Sequence, residues 1–245
     1  MTEENAFPEW RTPEEIAANI KKLEAETSAA NAEARKTIAE AKEAEIKAKE
    51  AGLRFKRIER DYSIKWAEDI ENHLYRFNGA VSSESVEECI KKLTHWSRID
   101  PGCDIEIVFS SPGGSIIPGF ELFDFIQTLR ADGHHITTGS LGYAASMAGI
   151  LLQSGDTRWI GHQSWMMIHR AAFGAYGKTF EIEDEVKFIQ RIEERILNIF
   201  TSRCSLTKQK IKRNWDRKDW WISADECLDL ELVDEIKGRL PEIQD

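Results

Sequence analysis

Between about residues 73 and 168, short apolar runs of strand length alternate with stretches whose apolar residues recur at helical spacing. That alternation limits the fold more than any other feature. His73–Gly79 reads as a short strand and turn, and Ser85–Trp96 as an amphipathic helix with Val86, Ile90 and Leu93 on one side. Asp104–Phe109 is a strand, Phe120–Leu129 a helix, His135–Thr138 a strand and Ala145–Gln153 a helix. Thr157–Ile160 and Trp165–Ile168 follow as strands. This spacing favours parallel βαβ units with right-handed crossovers. A long helix over about Ile182–Ser202, striped by Val186, Ile189, Ile192, Ile196, Ile199 and Phe200, comes next. A helix over Leu206–Trp215 and one capped by Ser223-Ala224-Asp225-Glu226 complete the region.

Residues Thr12 to about Lys49 differ in kind, being built of Ala, Glu and Lys with no glycine. Thr12-Pro13-Glu14-Glu15 is a helix start: Thr as N-cap, Pro at the first helical position, Glu three residues beyond the cap. Ile16, Ile20 and Leu23 share a face, after which large apolar residues thin out to Ile38 and Ile46 with alanine between. Such a helix has high intrinsic propensity and little to bury. It fits either a solvated arm or one strand of a weak, alanine-rich coiled coil. The texture becomes globular near Trp66, so the expected division is a charged helical extension, residues 1–65, and a folded domain, residues 66–245.

A net charge of −10 leaves no basic stripe to neutralise phosphates, which argues against nucleic-acid binding. No apolar run approaches the ~20 residues of a membrane span. The N-terminus, Met1-Thr2-Glu3-Glu4-Asn5, lacks the basic-then-apolar order of a signal peptide, so no membrane and a cytoplasmic setting are expected. Cys89, Cys103, Cys204 and Cys227 show no paired CxxC spacing, and free thiols are expected rather than disulfides or a zinc site.

Gly142-Tyr143-Ala144-Ala145-Ser146-Met147-Ala148-Gly149 sets one serine among small residues, where a short loop turns into an apolar helix. A helix starting there directs free N–H groups and partial positive charge at whatever approaches the hydroxyl. A serine capping a helix accounts for the same letters. A nucleophilic serine also needs a base, a group that orients the base, and donors for the oxyanion. His169 ends the strand Met166-Met167-Ile168, and strand ends of α/β sheets are where catalytic side chains collect. Asp219, in Arg217-Lys218-Asp219-Trp220-Trp221, is either the orienting carboxylate or a surface partner of Arg217 or Lys218. Ser111-Pro112-Gly113-Gly114-Ser115 follows a strand and either turns successive N–H groups toward an anion or simply reverses the chain.

Taken in order, Ser-Pro-Gly-Gly after a strand, Gly-x-Ala-Ala-Ser-Met, Met-Ile-His and Asp before Ile-Ser-Ala, the chain resembles the proteolytic subunit of the Clp protease (the ClpP family) over roughly His73–Ile236. The likeness continues through Cys204-Ser205-Leu206 with Ile211, and through Ala224-Asp225-Glu226 to Leu232-Val233-Asp234. The resemblance implies an α/β fold of stacked ββα units, shared with crotonases, with a protruding handle helix, here preceded by the long N-terminal helix. It implies a serine endopeptidase with Ser146 as nucleophile, His169 as general base and Asp219 holding the imidazole in its productive tautomer. The backbone N–H groups of Gly114 and Met147 would form the oxyanion hole. No metal or cofactor enters this chemistry within the chain, ATP being used by a partner AAA+ unfoldase. The implied assembly is two stacked heptameric rings acting on unfolded polypeptides. The helix from about Ile182, with Phe173-Gly174-Ala175-Tyr176-Gly177 before it, is similar to the handle that joins the rings, so part of its stripe would be interface.

The chain departs from the family pattern at Arg170, directly after the histidine, and at Ala171, where proline is usual. Residues 1 to about 65 bear no likeness to the short family N-terminus that forms the axial gate and helps dock the unfoldase. That extension points to a divergent member, such as a phage or prophage protease. Two other readings stand beside this one. A crotonase-type acyl-CoA hydratase or isomerase shares the fold but generally works with carboxylates and needs no Ser-His-Asp set. A non-catalytic ring or scaffold subunit would use the helical arm as its working part.

Overall fold

A computed structural model describes residues 12–216 and 218–239, apart from the Trp66 side chain. The chain divides into two compact units, residues 1–65 and 66–245. In the first, helix α1 runs Pro13–Trp66. Its start is a reciprocal cap: the Thr12 N–H donates to Glu15 Oε2 at 2.8 Å and the Glu15 N–H to Thr12 Oγ1 at 3.3 Å. The helix continues well past Lys49 because nothing beyond it stops a helix. Gly52 costs only about 1 kcal/mol relative to alanine among good helix formers, and no proline follows. Ion pairs one turn apart, such as Lys22–Glu26, Lys36–Glu40 and Glu43–Lys47, decorate it. Every residue from Thr12 to Lys65 is exposed.

The second unit is an α/β domain on a seven-stranded sheet. Strands β1 (Leu74–Asn78), β2 (Ile105–Ser111), β3 (Ile136–Ala145), β4 (Thr157–Gly161) and β7 (Glu235–Lys237) lie in that order, all parallel. Helices α2 (Ser83–Ile99) and α3 (Ile116–Ala131) link the first three strands. They close one core with Phe77, Ile107, Phe109, Leu93, Trp96 and Leu122. Ser82 caps α2 through a capping box with Ser85. Helix α3 begins earlier than expected, at Ile116, because Pro118 falls in its first turn, where a missing N–H costs nothing.

β3 is the strand that shapes the site. Its first half, Thr137–Ser140, pairs with β4, and its second half, Tyr143–Ala145, pairs in parallel with β5 (Trp165–Ile168). β6 (Trp220–Ser223) then adds to β5 antiparallel. The stretch Gly142–Ala145 is therefore strand, not loop, and the following helix α4 is short, Met147–Leu151, running into a 3₁₀ turn at Leu152–Ser154. This corrects the expectation of a strand ending at Thr138 and a helix over Ala145–Gln153. Glycines and alanines give no β-branched signature; of this stretch only Ala144 and Ala145 are buried, whereas Gly142 and Tyr143 are exposed.

Helix α5 (Thr179–Thr201) divides its stripe in two. Ile189, Ile192, Ile196, Leu197 and Phe200 are buried, whereas Phe180, Ile182, Val186 and Phe188 are exposed. Helices α6 (Lys208–Trp215) and α7 (Ala224–Asp229) follow, the latter capped by a Ser223–Glu226 box. The segment leading into β7 is tied down at Asp234 by Arg158 of β4, which is 4% exposed. Its guanidinium donates to both Asp234 carboxylate oxygens (3.1 and 2.5 Å), to Gln153 Oε1 (2.8 Å), and to the Arg203 and Leu232 carbonyls (2.8 and 3.2 Å). The cysteines are free thiols. Among the described residues no helix is long and apolar enough to cross a membrane.

Candidate active site

Three strand ends meet at one edge of the sheet. Ser146 directly follows β3, His169 directly follows β5, and Asp219 directly precedes β6. Ala145 is in register with Met167, and the Ser146 N–H donates to the Met167 carbonyl at 2.8 Å, so the serine lies beside the end of β5. β6 is antiparallel to β5 with Ile168 opposite Trp220, which brings the residue after one beside the residue before the other. His169 Nε2 is 2.7 Å from Ser146 Oγ, a hydrogen bond that the hydroxyl donates when that nitrogen is unprotonated. His169 Nδ1 is 3.7 Å from Asp219 Oδ1, adjacent but too far for a hydrogen bond. Asp219 is exposed. Of its two sequence-level alternatives, Arg217 lies outside the described residues.

Ser146 does not cap the helix it precedes. Its backbone sits at φ 54°, ψ −122°, and its side chain makes no cap hydrogen bond. A non-glycine residue in that conformation costs on the order of 1–3 kcal/mol and persists only where the surroundings enforce it. Here they do, through the β3–β5 pairing on one side and the buried Met147 on the other. The Met147 side chain fills the space a Cβ would need at Gly119 of α3, so the core anchors α4 while the Met147 N–H stays at the start of the helix beside Ser146.

The Pro-Gly-Gly turn closes the site. Val81 bridges to Gly114: the Val81 N–H donates to the Gly113 carbonyl and the Ser115 N–H to the Val81 carbonyl, which leaves the Gly114 N–H outside that bridge. Gly114, Ser146, Met147 and His169 line one cleft of about 250 Å³. Its walls are apolar, from Ile116, Ile150, Met167, Ile196 and Phe200. Gly114, Met147, a serine and an imidazole thus line one cleft together with these apolar side chains, with no Asp or Glu among its described lining residues.

A family model described as Clp protease matches residues 59–239. The chain belongs to the Clp protease family. An ATP-dependent Clp protease proteolytic subunit of Porphyromonas gingivalis is 32% identical to it over 147 residues, which is 59% of this chain and 64% of the relative. Two subunits so named from Bacteroides fragilis strains are each 33% identical over 147 residues, covering 69% and 65% of the relatives. The matched part of the chain spans less than two thirds of the first and third of these relatives and just over two thirds of the second.

Within this Clp family member, sequence reasoning missed Gly113. An added Cβ there would lie 2.5 Å from the Ala145 carbonyl and 2.6 Å from Ser146 Cβ, at φ +86°. The doubled glycine was the available signal; it marks one glycine facing the serine and one facing Val81. If Ser146 is a reacting group, Gly113→Ala is expected to displace it and lower turnover by about 10²-fold or more, because displacements near 1 Å at a reacting centre cost that much. Circular dichroism and turnover of a fluorogenic peptide check it; wild-type turnover would show that the close approach is dispensable.

Arg170, the departure beside the histidine, has a task in the structure. Its guanidinium bonds both carboxylate oxygens of Glu193 on α5, at 3.0 and 3.1 Å, and lies 4.0 Å from Asp216. It therefore braces the residue after His169 between α5 and the segment leading to Asp219. A separate group, His73, Asp100 and Cys103, sets three potential metal-donor atoms within 4.8 Å of one another. These residues precede β1 and β2, at the strand ends remote from Ser146, and have no part in the cleft chemistry.

Proposed function

We propose that this chain is a serine endopeptidase subunit of the Clp type. The observation that carries the reading is the 2.7 Å hydrogen bond between His169 Nε2 and a serine held in an enforced, non-helical backbone beside an apolar cleft. His169 accepts the Ser146 proton as Oγ attacks the scissile carbonyl and returns it to the leaving amine. Asp219 favours the Nδ1–H tautomer and the transient imidazolium; closing its 3.7 Å gap into a hydrogen bond needs a shift of less than about 1 Å. The N–H groups of Gly114 and Met147 receive the developing oxyanion. The apolar walls suit an apolar side chain next to the scissile bond. No cofactor or metal is required of this chain, and the absence of a carboxylate from the cleft lining counts against crotonase-type acid–base chemistry.

Assembly into rings is part of the same reading. Tyr143, Trp165 and Trp221 share one face of the β3–β5–β6 segment by register, and all three are more than a third exposed. With the exposed half of the α5 stripe they form apolar surface of the kind that self-association covers. Two stacked heptamers in the cytoplasm, fed with unfolded polypeptide by an AAA+ unfoldase that uses ATP, complete the proposal. The extension before residue 59 lies outside the family match and supports a divergent member, such as a phage or prophage version.

One substitution tests the chemistry beside active-site labelling. Asp219→Asn is expected to lower kcat by about 10²–10⁴-fold with little change in KM, because its loss frees the wrong tautomer. An unaltered kcat in the Asn variant would remove Asp219 from the mechanism.

A further inference from the structure

Helix α1 carries an unbroken seam. Stepping alternately by four and three residues from Ile16 to Tyr62, fourteen successive positions contain no charged residue, in a helix where Glu, Lys, Arg and Asp are frequent. That is the a/d pattern of a coiled coil. The large side chains sit only at its ends: Ile16, Ile20 and Leu23 at one, Phe55, Ile58 and Tyr62 at the other, all at least 44% exposed. Between them the seam holds alanine and two threonines only. Neither threonine brings an unsatisfied hydroxyl to it, since Thr27 Oγ1 donates to the Leu23 carbonyl at 2.7 Å and Thr37 Oγ1 to the Glu33 carbonyl at 3.0 Å. Ile46, Leu53 and Ile64 lie off the seam.

We propose that α1 pairs with α1 of a second copy of this chain as an antiparallel, alanine-centred coiled coil whose midpoint is residue 39. In that register Ile16 meets Tyr62, Ile20 meets Ile58 and Leu23 meets Phe55, while the small residues face small residues and let the helices approach closely. Charge selects the direction. Beside an antiparallel seam Glu26 faces Arg54 and Glu33 faces Lys47, each twice by symmetry, and the one like-charge contact is Glu40 with its own copy. A parallel, in-register pair instead sets Glu40 against Glu45 and gains only Arg54 with Glu59. The overlap spans residues 16–62, roughly 70 Å of helix. This inference stands on α1 alone and does not depend on the peptidase reading.

Cross-linking of the full-length chain tests it. Leu23→Cys and Phe55→Cys variants, differently tagged, are treated with a short bismaleimide singly and as a co-assembled mixture, with the wild type as control for its own thiols. The expected result is a dimer linking the two tags in the mixture, with neither variant linking to itself. Adding Ala34→Glu and Ala44→Glu to both variants, which charges the middle of the seam, is expected to abolish that dimer while far-UV helicity is retained. Self-linking of Leu23→Cys alone would overturn the antiparallel direction. No tag-to-tag product, or one that survives the glutamates, would overturn the pairing itself.

Discussion

Ser146→Ala is expected to lower peptide hydrolysis by roughly 10⁴–10⁶-fold and to abolish covalent labelling by a fluorophosphonate, with the assembly intact. The size follows from the role. In the proposed mechanism, removing the nucleophile, to which the base is already hydrogen-bonded, leaves only the oxyanion donors and substrate binding to act on water. Alanine carries the same Cβ, so the close approach of Gly113 and the buried packing of Met147 are untouched. Native mass spectrometry beside the activity assay separates a chemical loss from a failure to assemble. An assembled wild type that no fluorophosphonate labels would reject the serine mechanism and favour a scaffold or acyl-CoA role. Labelling that survives in Ser146→Ala would place the nucleophile elsewhere.

The largest effect on stability is expected at Arg158→Ala. Arg158 is buried and joins β4 to Asp234, Gln153 and the carbonyls of Arg203 and Leu232. Removing it leaves a carboxylate, an amide oxygen and two carbonyls without that donor, and breaking such a buried pair costs about 3–5 kcal/mol. For a chain of this size that corresponds to a fall in Tm of roughly 10 °C, measured at equal protein concentration. The same contact predicts an acid dependence. Burial alone would raise the Asp234 carboxyl, but hydrogen bonds from Arg158 and its charge hold it below the usual carboxylate value. Burial acts likewise on Asp156, outweighed there by Arg130 and the Ile136 N–H. Depressed in the fold, these groups stabilise above the unfolded carboxylate pKa of about 4 and lose that contribution as the pH falls below it. Wild-type stability should therefore drop below about pH 4, and less steeply in Arg158→Ala, which has already lost the Asp234 share. A variant melting within about 2 °C of the wild type would show the network to be dispensable.

Much of the fold was legible because periodicity and caps are local. The reciprocal caps at Thr12 and Ser223 lie where their letters place them. The alternation of strands and helices gave the right fold class. β3 was misread because its C-terminal half, Leu141-Gly142-Tyr143-Ala144-Ala145, has no β-branched residue and is broken up by Gly and Ala, which carry no strand signature. The exposed half of the α5 stripe and its buried half look alike in sequence, since periodicity reports a face and not what covers it. Gly113 went unread for the same kind of reason: a glycine's letter does not say which backbone comes close to it.

The sequence by itself determined the chain's inventory and order: a charge-free seam through a highly charged helix, strands alternating with helices, and a serine, a histidine and an aspartate each beside a strand end. Only the tertiary structure decided that those three ends coincide. That depends on β3 switching partners from β4 to β5 halfway along its length, and on β6 running against β5 so that the residue before one lies by the residue after the other. Strand direction and partner choice are set by packing between distant segments, which no local pattern encodes. The backbone at Ser146 is decided the same way, because it is held at φ 54° by neighbours on both sides rather than by its own preference.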